Sequence, residues 1–464
     1  MSARRPLLVA VATVLALGLA ACSPGDGPGP TSTPLDTGTA TPPATDDVVL
    51  PQDAAGRHAA WVLAQLEPGA EVDADEVAGL FAESFLAEIS ATDLVTVLAQ
   101  LRDQGPWALA SVDSGPGWLV ARIASSAVEL DMQLALDEDE RITGLLFTPA
   151  PPPREPAESL ADLAEEVGAL SGSTSLYVAR VTDGACVPLE GMPAGSDPGE
   201  SLPIGSMIKL YVLGAVVDAV ERGELGWDDE VTVTDELRSL PSGQLQDAPT
   251  GTTVTIREAA EAMIAISDNT ATDLLVDAVG RESVEEAFAA LGHADPGRNV
   301  PLATTRELFL LGWGEDTDWR ERWRDADADG RRAILDSLAG TELDVDLARI
   351  VQEPVWTYDV DWFATGDDLC AAHVGLAGLA TTEAGEPVRA ILSANPGVED
   401  TSGYDYVAFK GGSSTGTMGG SWFAESGDGA VDVVLQTAAE VEPTSAATMV
   451  GIAEDALRLA VQDS

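Results

Sequence analysis

The chain has 464 residues, which is long enough for two or three domains, and a hydrophobic content of 45% allows sizeable cores. It carries 78 acidic against 24 basic residues, a formal net charge of −54. This charge argues against nucleic acid and anionic membrane surfaces as partners, because both would repel the protein. A solvated acidic surface that maintains solubility is the ordinary interpretation.

The first 22 residues have the pattern of an export segment. Arg4 and Arg5 precede an apolar run, Leu7–Leu19, which is too short to cross a membrane. The run leads into the sequence LAAC, ending at Cys22, which resembles the box at the processing site of bacterial lipoproteins. We therefore expect an extracytoplasmic protein anchored to the membrane by a lipid on Cys22, with ordinary secretion as the alternative. Residues 23–50, rich in Pro, Thr and Gly, predict a disordered tether.

Residues 51–149 have the pattern of an α+β domain, with helices first and an antiparallel sheet after them. Apolar spacing predicts helices at Arg57–Leu66 and Ala74–Phe81, and a third beginning after Ser90, which has capping-box spacing. The predicted strands are Trp107–Val112, Trp118–Ile123, Val128–Leu136 and Ile142–Phe147. This order resembles the nuclear-transport-factor-like cone, also called steroid-isomerase-like or cystatin-like. No catalytic constellation is evident in it.

A proline-rich linker at residues 150–158 precedes a second domain at 159–464. Strands predicted near both ends of this domain bracket a long helical middle, which again indicates an α+β fold. The charged stretch Asp316–Arg332 is expected to be a solvated helix or loop. The principal predicted elements are strands Leu176–Val181, Tyr406–Phe409, Ser421–Ala424 and Val431–Thr437, and helices Ser206–Val220, Thr270–Val279 and Thr444–Val461.

The sequence SMIK, from Ser206 to Lys209, opens a predicted helix. Residues three apart lie on one side of a helical turn, so the Ser206 hydroxyl and the Lys209 amine are expected to approach each other. A serine hydroxyl is a weak nucleophile until a base takes its proton, and a buried lysine can be that base. Lys209 and Lys410 are the only lysines in the chain, which suggests positions where arginine cannot substitute. An N-capping serine followed by a surface lysine is the alternative.

The sequence SDN, from Ser267 to Asn269, follows between two predicted helices. Ser267 is a candidate to relay a proton to a leaving nitrogen, and Asn269 to bind Lys209 and a substrate amide. Because Ser, Asp and Asn all favour helix ends, an ordinary N-cap is the alternative.

The sequence KGGS, from Lys410 to Ser413, lies at the end of a predicted strand. Lys410 is expected to orient Ser267 and to lower the pKa of Lys209 electrostatically, and Gly412 lets a substrate lie against the strand. The backbone N–H groups of Ser206 and Ser413 are candidates for an oxyanion hole. A glycine-rich hairpin turn is the alternative.

The order S-x-x-K, S-D-N, K-x-G resembles class A β-lactamases and penicillin-binding proteins. The sequence SDNTATDLL, from Ser267 to Leu275, is similar to class A. The resemblance covers about residues 159–464 and implies an antiparallel sheet flanked by helices plus an all-helical subdomain. It also implies that Ser206, Lys209, Ser267 and Lys410 are catalytic. With the cone, the whole chain resembles two-domain β-lactamase-like proteins, including an esterase-type member associated with clavulanic acid biosynthesis.

The sequence departs from the family at the positions that serve deacylation and substrate binding. Class A enzymes hydrolyse their acyl-enzyme with a glutamate after S-D-N, yet no glutamate lies between Leu291 and Arg306. Thr304-Thr305 resembles the segment just after that loop, so the loop is expected to be shortened. Gly411 stands where the family has Thr or Ser, and no arginine is found on the Ser421 strand to bind a substrate carboxylate. We expect this role to fall to three neighbouring hydroxyl residues, Ser413, Ser414 and Thr415.

These features predict a serine hydrolase that forms an acyl-enzyme with β-lactams or related amides and esters, with slow deacylation or Lys209 as the base again. A D-alanyl-D-alanine carboxypeptidase or an esterase is one alternative. A non-catalytic lipoprotein that binds cell-wall material or β-lactams is another. The expected partners are therefore a small β-lactam, ester or peptidoglycan peptide and, through Cys22, the membrane, with the protein a monomer.

No cofactor or metal site is predicted, because His58, His293 and His373 are scattered and no ligand spacing is evident. An extracytoplasmic compartment permits a disulfide between Cys186 and Cys370. Nothing in the sequence shows that they meet, and two buried free thiols are an equal alternative.

Overall fold

A computed structural model describes residues 48–462 except 83–84, 87–88, 116, 138–139, 151–153, 196–200, 241, 346, 351, 399, 428 and 441–443. The predicted signal peptide, Cys22 and the tether up to residue 47 lie outside the described residues. Within the described part, no helix has the length and apolar character needed to cross a membrane. The chain divides into two compact units at residue 152.

The N-terminal unit has helices followed by an antiparallel sheet with strand order β1-β2-β3-β4, as predicted. Side chains of Asp53, Asp73 and Ser90 accept the first free backbone N–H groups of the helices and so fix where each begins. The elements are α1 (Ala54–Gln65), α2 (Ala74–Leu80), α3 (Ala91–Arg102), β1 (Ala108–Gly115), β2 (Trp118–Ala124), β3 (Glu129–Leu136) and β4 (Ile142–Pro149).

Alternation of apolar and polar residues explains why this sheet has one buried face. On β3, Leu130, Met132 and Leu134 are buried, and on β2 the buried residues Leu119 and Ile123 pair with Leu134 and Leu130. This face packs against the helices in one hydrophobic core.

The C-terminal unit is built on a six-stranded sheet whose main order is β12-β13-β14-β5-β6, with the short β7 also paired to β5. Its central strands are buried on both faces. On β5, Val178 belongs to one hydrophobic core and its neighbour Tyr177 to the other. The strands are β5 (Ser173–Thr182), β6 (Ala185–Pro188), β7 (Ala194–Gly195), β12 (Tyr406–Ser414), β13 (Thr417–Ser426) and β14 (Gly429–Ala438).

Two further pairs of short strands lie outside the six-stranded sheet. They are β8 (Leu202–Pro203) with β11 (Phe363–Ala364), and β9 (Glu230–Thr232) with β10 (Thr253–Thr255). The α-helices of this unit are α4 (Leu160–Gly168), α5 (Lys209–Glu221), α6 (Ile256–Ala265), α7 (Asn269–Val279), α8 (Arg281–Ala290), α9 (Thr305–Trp313), α10 (Asp318–Asp325), α11 (Ala328–Leu338), α12 (Leu347–Ile350), α13 (Gly366–Leu379), α14 (Val388–Ser393) and α15 (Ala446–Gln462).

Two expectations about this unit change with the structure. The charged stretch Asp316–Arg332 forms α10 and part of α11 and is not simply solvated, because Arg320 and Trp323 are buried. Cys186 and Cys370 form a disulfide that links β6 to α13.

Candidate active site

Ser206 lies on a helical turn whose conformation depends on the glycine before it. Gly205–Ile208 is a 3-10 helix that continues directly into α5, and side chains three residues apart eclipse in such a helix. Ser206 and Lys209 therefore share one side of the turn. Gly205 has a φ of +48°, and a Cβ there would come within 2.9 Å of the Ser413 nitrogen, so both the backbone angle and the space favour glycine.

Two lysines and a serine meet beside this turn. The Lys209 Nζ donates to the Ser267 Oγ at 3.1 Å, to the Ser267 carbonyl at 2.6 Å and to the Asn269 Oδ1 at 2.7 Å. The Lys410 Nζ donates to the same Ser267 Oγ at 3.1 Å and to the Gly411 carbonyl at 2.8 Å. We call Lys209, Ser267, Asn269 and Lys410 the lysine cluster. All four residues were singled out from sequence motifs.

Burial favours the neutral form of both lysines in the cluster. The Lys209 side chain is fully buried, and this desolvation together with the charge of Lys410 holds its pKa well below its usual value. Burial lowers the pKa of Lys410 to about 7. A lysine with a lowered pKa is neutral in part of its population near pH 7 and can accept a proton.

Ser267 is held in an unusual conformation by its surroundings. Its φ is +58°, a left-handed angle that is uncommon for a residue with a side chain and is often found at functional sites. The Ser242 hydroxyl donates to the Ser267 carbonyl at 2.7 Å. The next residue, Asp268, caps α7 through the Ala271 N–H and also accepts the N–H groups of the loop at Gln244. The left-handed angle therefore directs the Ser267 hydroxyl between the two lysines.

The Ser206 hydroxyl has no hydrogen-bond partner among the described residues, and Ser206 is partly exposed. Ser206 and Lys209 thus lie on the same side of the turn, as predicted, but no hydrogen bond joins them in the described structure. All three Lys209 N–H directions are occupied by Ser267 and Asn269. Loss of one proton would free a lone pair on this nitrogen, so the arrangement is that of an amine before it acts as a base.

The second part of the site is the edge strand β12, which continues to Ser414 and turns at Thr415-Gly416. Lys410 to Ser413 is therefore strand, not turn. A Cβ on Gly412 would lie 1.9 Å from the Ile204 carbonyl oxygen, so only glycine lets the strand approach the Ser206 turn this closely. The approach places the Ser413 nitrogen beside Gly205, as an oxyanion hole made with Ser206 requires.

Asp361 is a member of the site that sequence reasoning missed. This partly buried carboxylate accepts the Gly205 N–H at 2.9 Å on Oδ1 and the Ser414 hydroxyl at 3.0 Å on Oδ2. It thereby joins the nucleophile turn to β12, and we call Asp361, Gly205 and Ser414 the Asp361 bridge. The one signal in the sequence is an acidic residue flanked by apolar ones, Val360 and Trp362.

The three hydroxyls expected to bind a substrate carboxylate lie in different places. The Ser414 hydroxyl donates to Asp361, and the Thr415 hydroxyl donates to the Ile350 carbonyl. Ser413 is exposed. Two of the three expected contacts are thus made within the protein. Among the residues that the structure describes, no group of three or more His, Cys, Asp or Glu could hold a metal ion.

Comparison with protein families gives two matches. Residues 156–308 match the Beta-lactamase enzyme family, and residues 50–142 match a family described as ORF 12 gene product N-terminal. A comparison with curated proteins found no match to this chain.

Among solved structures, a β-lactamase from Sphaerobacter thermophilus DSM 20745 is similar at 22% identity over 65% of this chain and 97% of that one, with a TM-score of 0.46. A structure of PBP-A is similar at 16% identity over 67% of this chain and 99% of that one, with a TM-score of 0.44. A mutant of PBP-A, also at 16% identity and with a TM-score of 0.45, was solved as an acyl-enzyme complex with penicillin G, and it covers 67% of this chain and all of that one.

Proposed function

We propose that the C-terminal domain hydrolyses β-lactams or related amides and esters through an acyl-enzyme on Ser206. The match of residues 156–308 to the Beta-lactamase enzyme family supports this proposal. The observation that carries the proposal is the convergence of two buried lysines on the Ser267 hydroxyl, next to a partly exposed serine at the start of a helix. A protein that only bound its ligand would not need a lysine buried without a carboxylate partner, which is costly.

In acylation, the Ser206 Oγ attacks the carbonyl carbon while its proton passes to the neutral Lys209 amine. The N–H groups of Ser206 and Ser413 bind the oxyanion that forms. When the intermediate collapses, the bond to the leaving oxygen or nitrogen breaks. That atom takes the Ser267 hydroxyl proton, which is replaced from the lysine ammonium beside it.

In deacylation, water attacks the carbonyl carbon of the Ser206 ester and gives one proton to Lys209. The Ser206 oxygen then leaves and takes that proton back from the Lys209 ammonium. Glu307 is the first glutamate after Leu291 and lies on the first turn of α9, where it forms an ion pair with Arg281. It caps that helix and is not a general base here. Lys209 therefore acts in both half-reactions, and slow release of the acyl group follows.

The test compares wild type with Ser206→Ala using a fluorescent penicillin and p-nitrophenyl hexanoate, with intact-mass measurement. We expect wild type to gain the mass of the acyl group and to release p-nitrophenolate. Ser206→Ala should lose both, with a fall in kcat/KM of about 10⁴-fold or more. Ser402→Ala, at an exposed serine away from the cluster, is the matched control. Labelling that persists in Ser206→Ala would refute the assignment of the nucleophile.

An esterase or a D-alanyl-D-alanine carboxypeptidase would use the same chemistry. Turnover of the hexanoate ester without turnover of a peptidoglycan pentapeptide would favour the esterase. The engagement of Ser414 by Asp361 favours it as well, because that hydroxyl is not free to bind a substrate carboxylate.

Anchoring by a lipid on Cys22 is also proposed, on the basis of the LAAC sequence alone. It would place the hydrolase at the outer side of the membrane. Release of Cys22→Ser from the membrane fraction is the expected result, and retention there would contradict it.

A further inference from the structure

Asp361 places a carboxylate beside the Ser206 turn. Its carboxylate accepts hydrogen bonds from the N–H groups of Gly205 and Trp362, at 2.9 and 2.8 Å, and from the Ser414 hydroxyl. All of these donors are neutral. Among the described residues no cation pairs with Asp361, so its negative charge is solvated by dipoles but not cancelled.

The two lysines near Ser206 do not neutralise the negative charge of Asp361. Lys209 and Lys410 are both buried and both directed at Ser267. Their lowered pKa values mean that together they carry less positive charge near pH 7 than two ordinary lysines. Desolvation raises the pKa of Asp361 only to about 6, so its carboxylate is mostly ionised at that pH.

Most of the groups expected to bind an anion beside Ser206 are missing or engaged, and of the three hydroxyls only that of the exposed Ser413 has no hydrogen-bond partner among the described residues. Gly411 supplies no hydroxyl, and the hydroxyls of Ser414 and Thr415 are engaged by Asp361 and by the Ile350 carbonyl. The net charge of −54 adds a repulsive field around the whole protein, which extends over about 8 Å at physiological ionic strength. Local and global charge therefore act in the same direction.

We propose that the site selects uncharged or cationic acyl donors over anionic ones, and that Asp361 sets this preference. The proposal rests on the Ser206 acyl-enzyme mechanism above. It predicts that an anionic β-lactam is a poor substrate and that a neutral or cationic ester is a better one.

Three matched substrates test the preference in the full-length protein. They are p-nitrophenyl hexanoate, its analogue with a terminal carboxylate and its analogue with a terminal trimethylammonium group. We expect wild-type kcat/KM for the carboxylate ester to be lower than for hexanoate by about tenfold or more, and the trimethylammonium ester to be at least as good as hexanoate. Part of the difference should persist in 1 M NaCl, where the Debye length is about 3 Å and distant charges are screened.

Asp361→Asn tests the residue. An asparagine can still accept the Gly205 N–H and can donate to the Ser414 hydroxyl, so the bridge keeps its hydrogen bonds while losing its charge. We expect the ratio of hexanoate to carboxylate ester to shrink to about threefold or less through faster turnover of the carboxylate ester. Glu386→Gln, which removes one exposed charge elsewhere in the same domain, should leave the ratio unchanged. If thermal melting shows that Asp361→Asn is unfolded, Asp361→Ser replaces it.

The outcomes separate the two proposals. Equal wild-type rates on all three esters, lost in Ser206→Ala, would overturn the charge preference and leave the mechanism standing. A preference that survives both neutral replacements of Asp361 would overturn the role of that residue. Failure of all three esters and of the fluorescent penicillin to react through Ser206 would overturn the proposed function itself.

Discussion

The lysine cluster and the Asp361 bridge lie on either side of the Ser206 turn and treat charge in opposite ways. In the lysine cluster, burial lowers the pKa of both lysines and the charge of Lys410 lowers that of Lys209 further, which favours neutral amines that can accept a proton. In the Asp361 bridge, a partly buried carboxylate keeps its charge because backbone N–H groups and a hydroxyl donate to it. The first arrangement suits proton transfer and the second suits discrimination between substrates. Rate and selectivity can therefore be altered separately in this protein.

The largest expected effect comes from removing the base. Lys209→Met replaces the amine by a side chain of similar length, and we expect kcat/KM to fall by about 10³-fold, in the middle of the range for general bases. The fall should be the same for hexanoate and for its charged analogues, because Lys209 acts on Ser206 and not on the substrate charge. Stopped-flow release of p-nitrophenolate measures it, with circular dichroism to confirm folding.

This result distinguishes the lysine cluster from the Asp361 bridge, because Asp361→Asn should act mainly on the ratio between esters and not on the rate for all of them. It should change the ratio between esters by more than it changes the turnover of hexanoate. A Lys209→Met protein that keeps more than a tenth of wild-type activity would exclude Lys209 as the base.

A smaller effect is expected in the pH dependence of stability. The pKa of Lys410 is about 7 in the folded protein and near 10.5 when the chain unfolds, so the unfolded state binds more protons between these values. Stability should therefore rise with pH in this window and be lost as the pH falls toward 7. Relative to Lys410→Met, we expect wild type to gain about 2 kcal/mol between pH 8 and 10.

Differential scanning calorimetry of wild type and Lys410→Met over this pH range measures the effect. As the pH rises from 8 to 10, the melting temperature of wild type should increase by a few degrees relative to that of Lys410→Met. A difference that does not change with pH would mean that Lys410 keeps an ordinary pKa and is hydrated in the folded state.

The two regions also differ in how far the sequence predicts them. The lysine cluster follows from three short motifs in a fixed order, each of which carries its own chemistry. The Asp361 bridge joins residues 156 positions apart through a single contact with Gly205. That contact depends on the pairing of β8 with β11, and strands of two residues are too short to show an alternating pattern.

The same physical limit applies to the fold. Strict alternation in β3 and the capping spacing at Ser90 predict elements of the N-terminal domain close to their observed bounds. Helix α13 was not predicted, because it is apolar on several sides and has no single buried stripe. The contact of Lys209 with Asn269 was expected from the S-D-N motif. Its contact with Ser267 in place of Ser206 depends on the left-handed angle at Ser267, which no spacing rule contains.

The Cys186–Cys370 disulfide has a practical consequence for preparing this protein. It closes a loop over a sequence separation of 184 residues, for which chain entropy predicts a stabilisation of about 5 kcal/mol. Helix α13 also carries Asp367 and Asp368, which accept hydrogen bonds from the Tyr177 hydroxyl and the Ala294 N–H. A host that keeps thiols reduced would yield a chain without this crosslink. Expression in an oxidising compartment, and assays free of thiol reductants, are therefore the conditions that preserve the molecule described above.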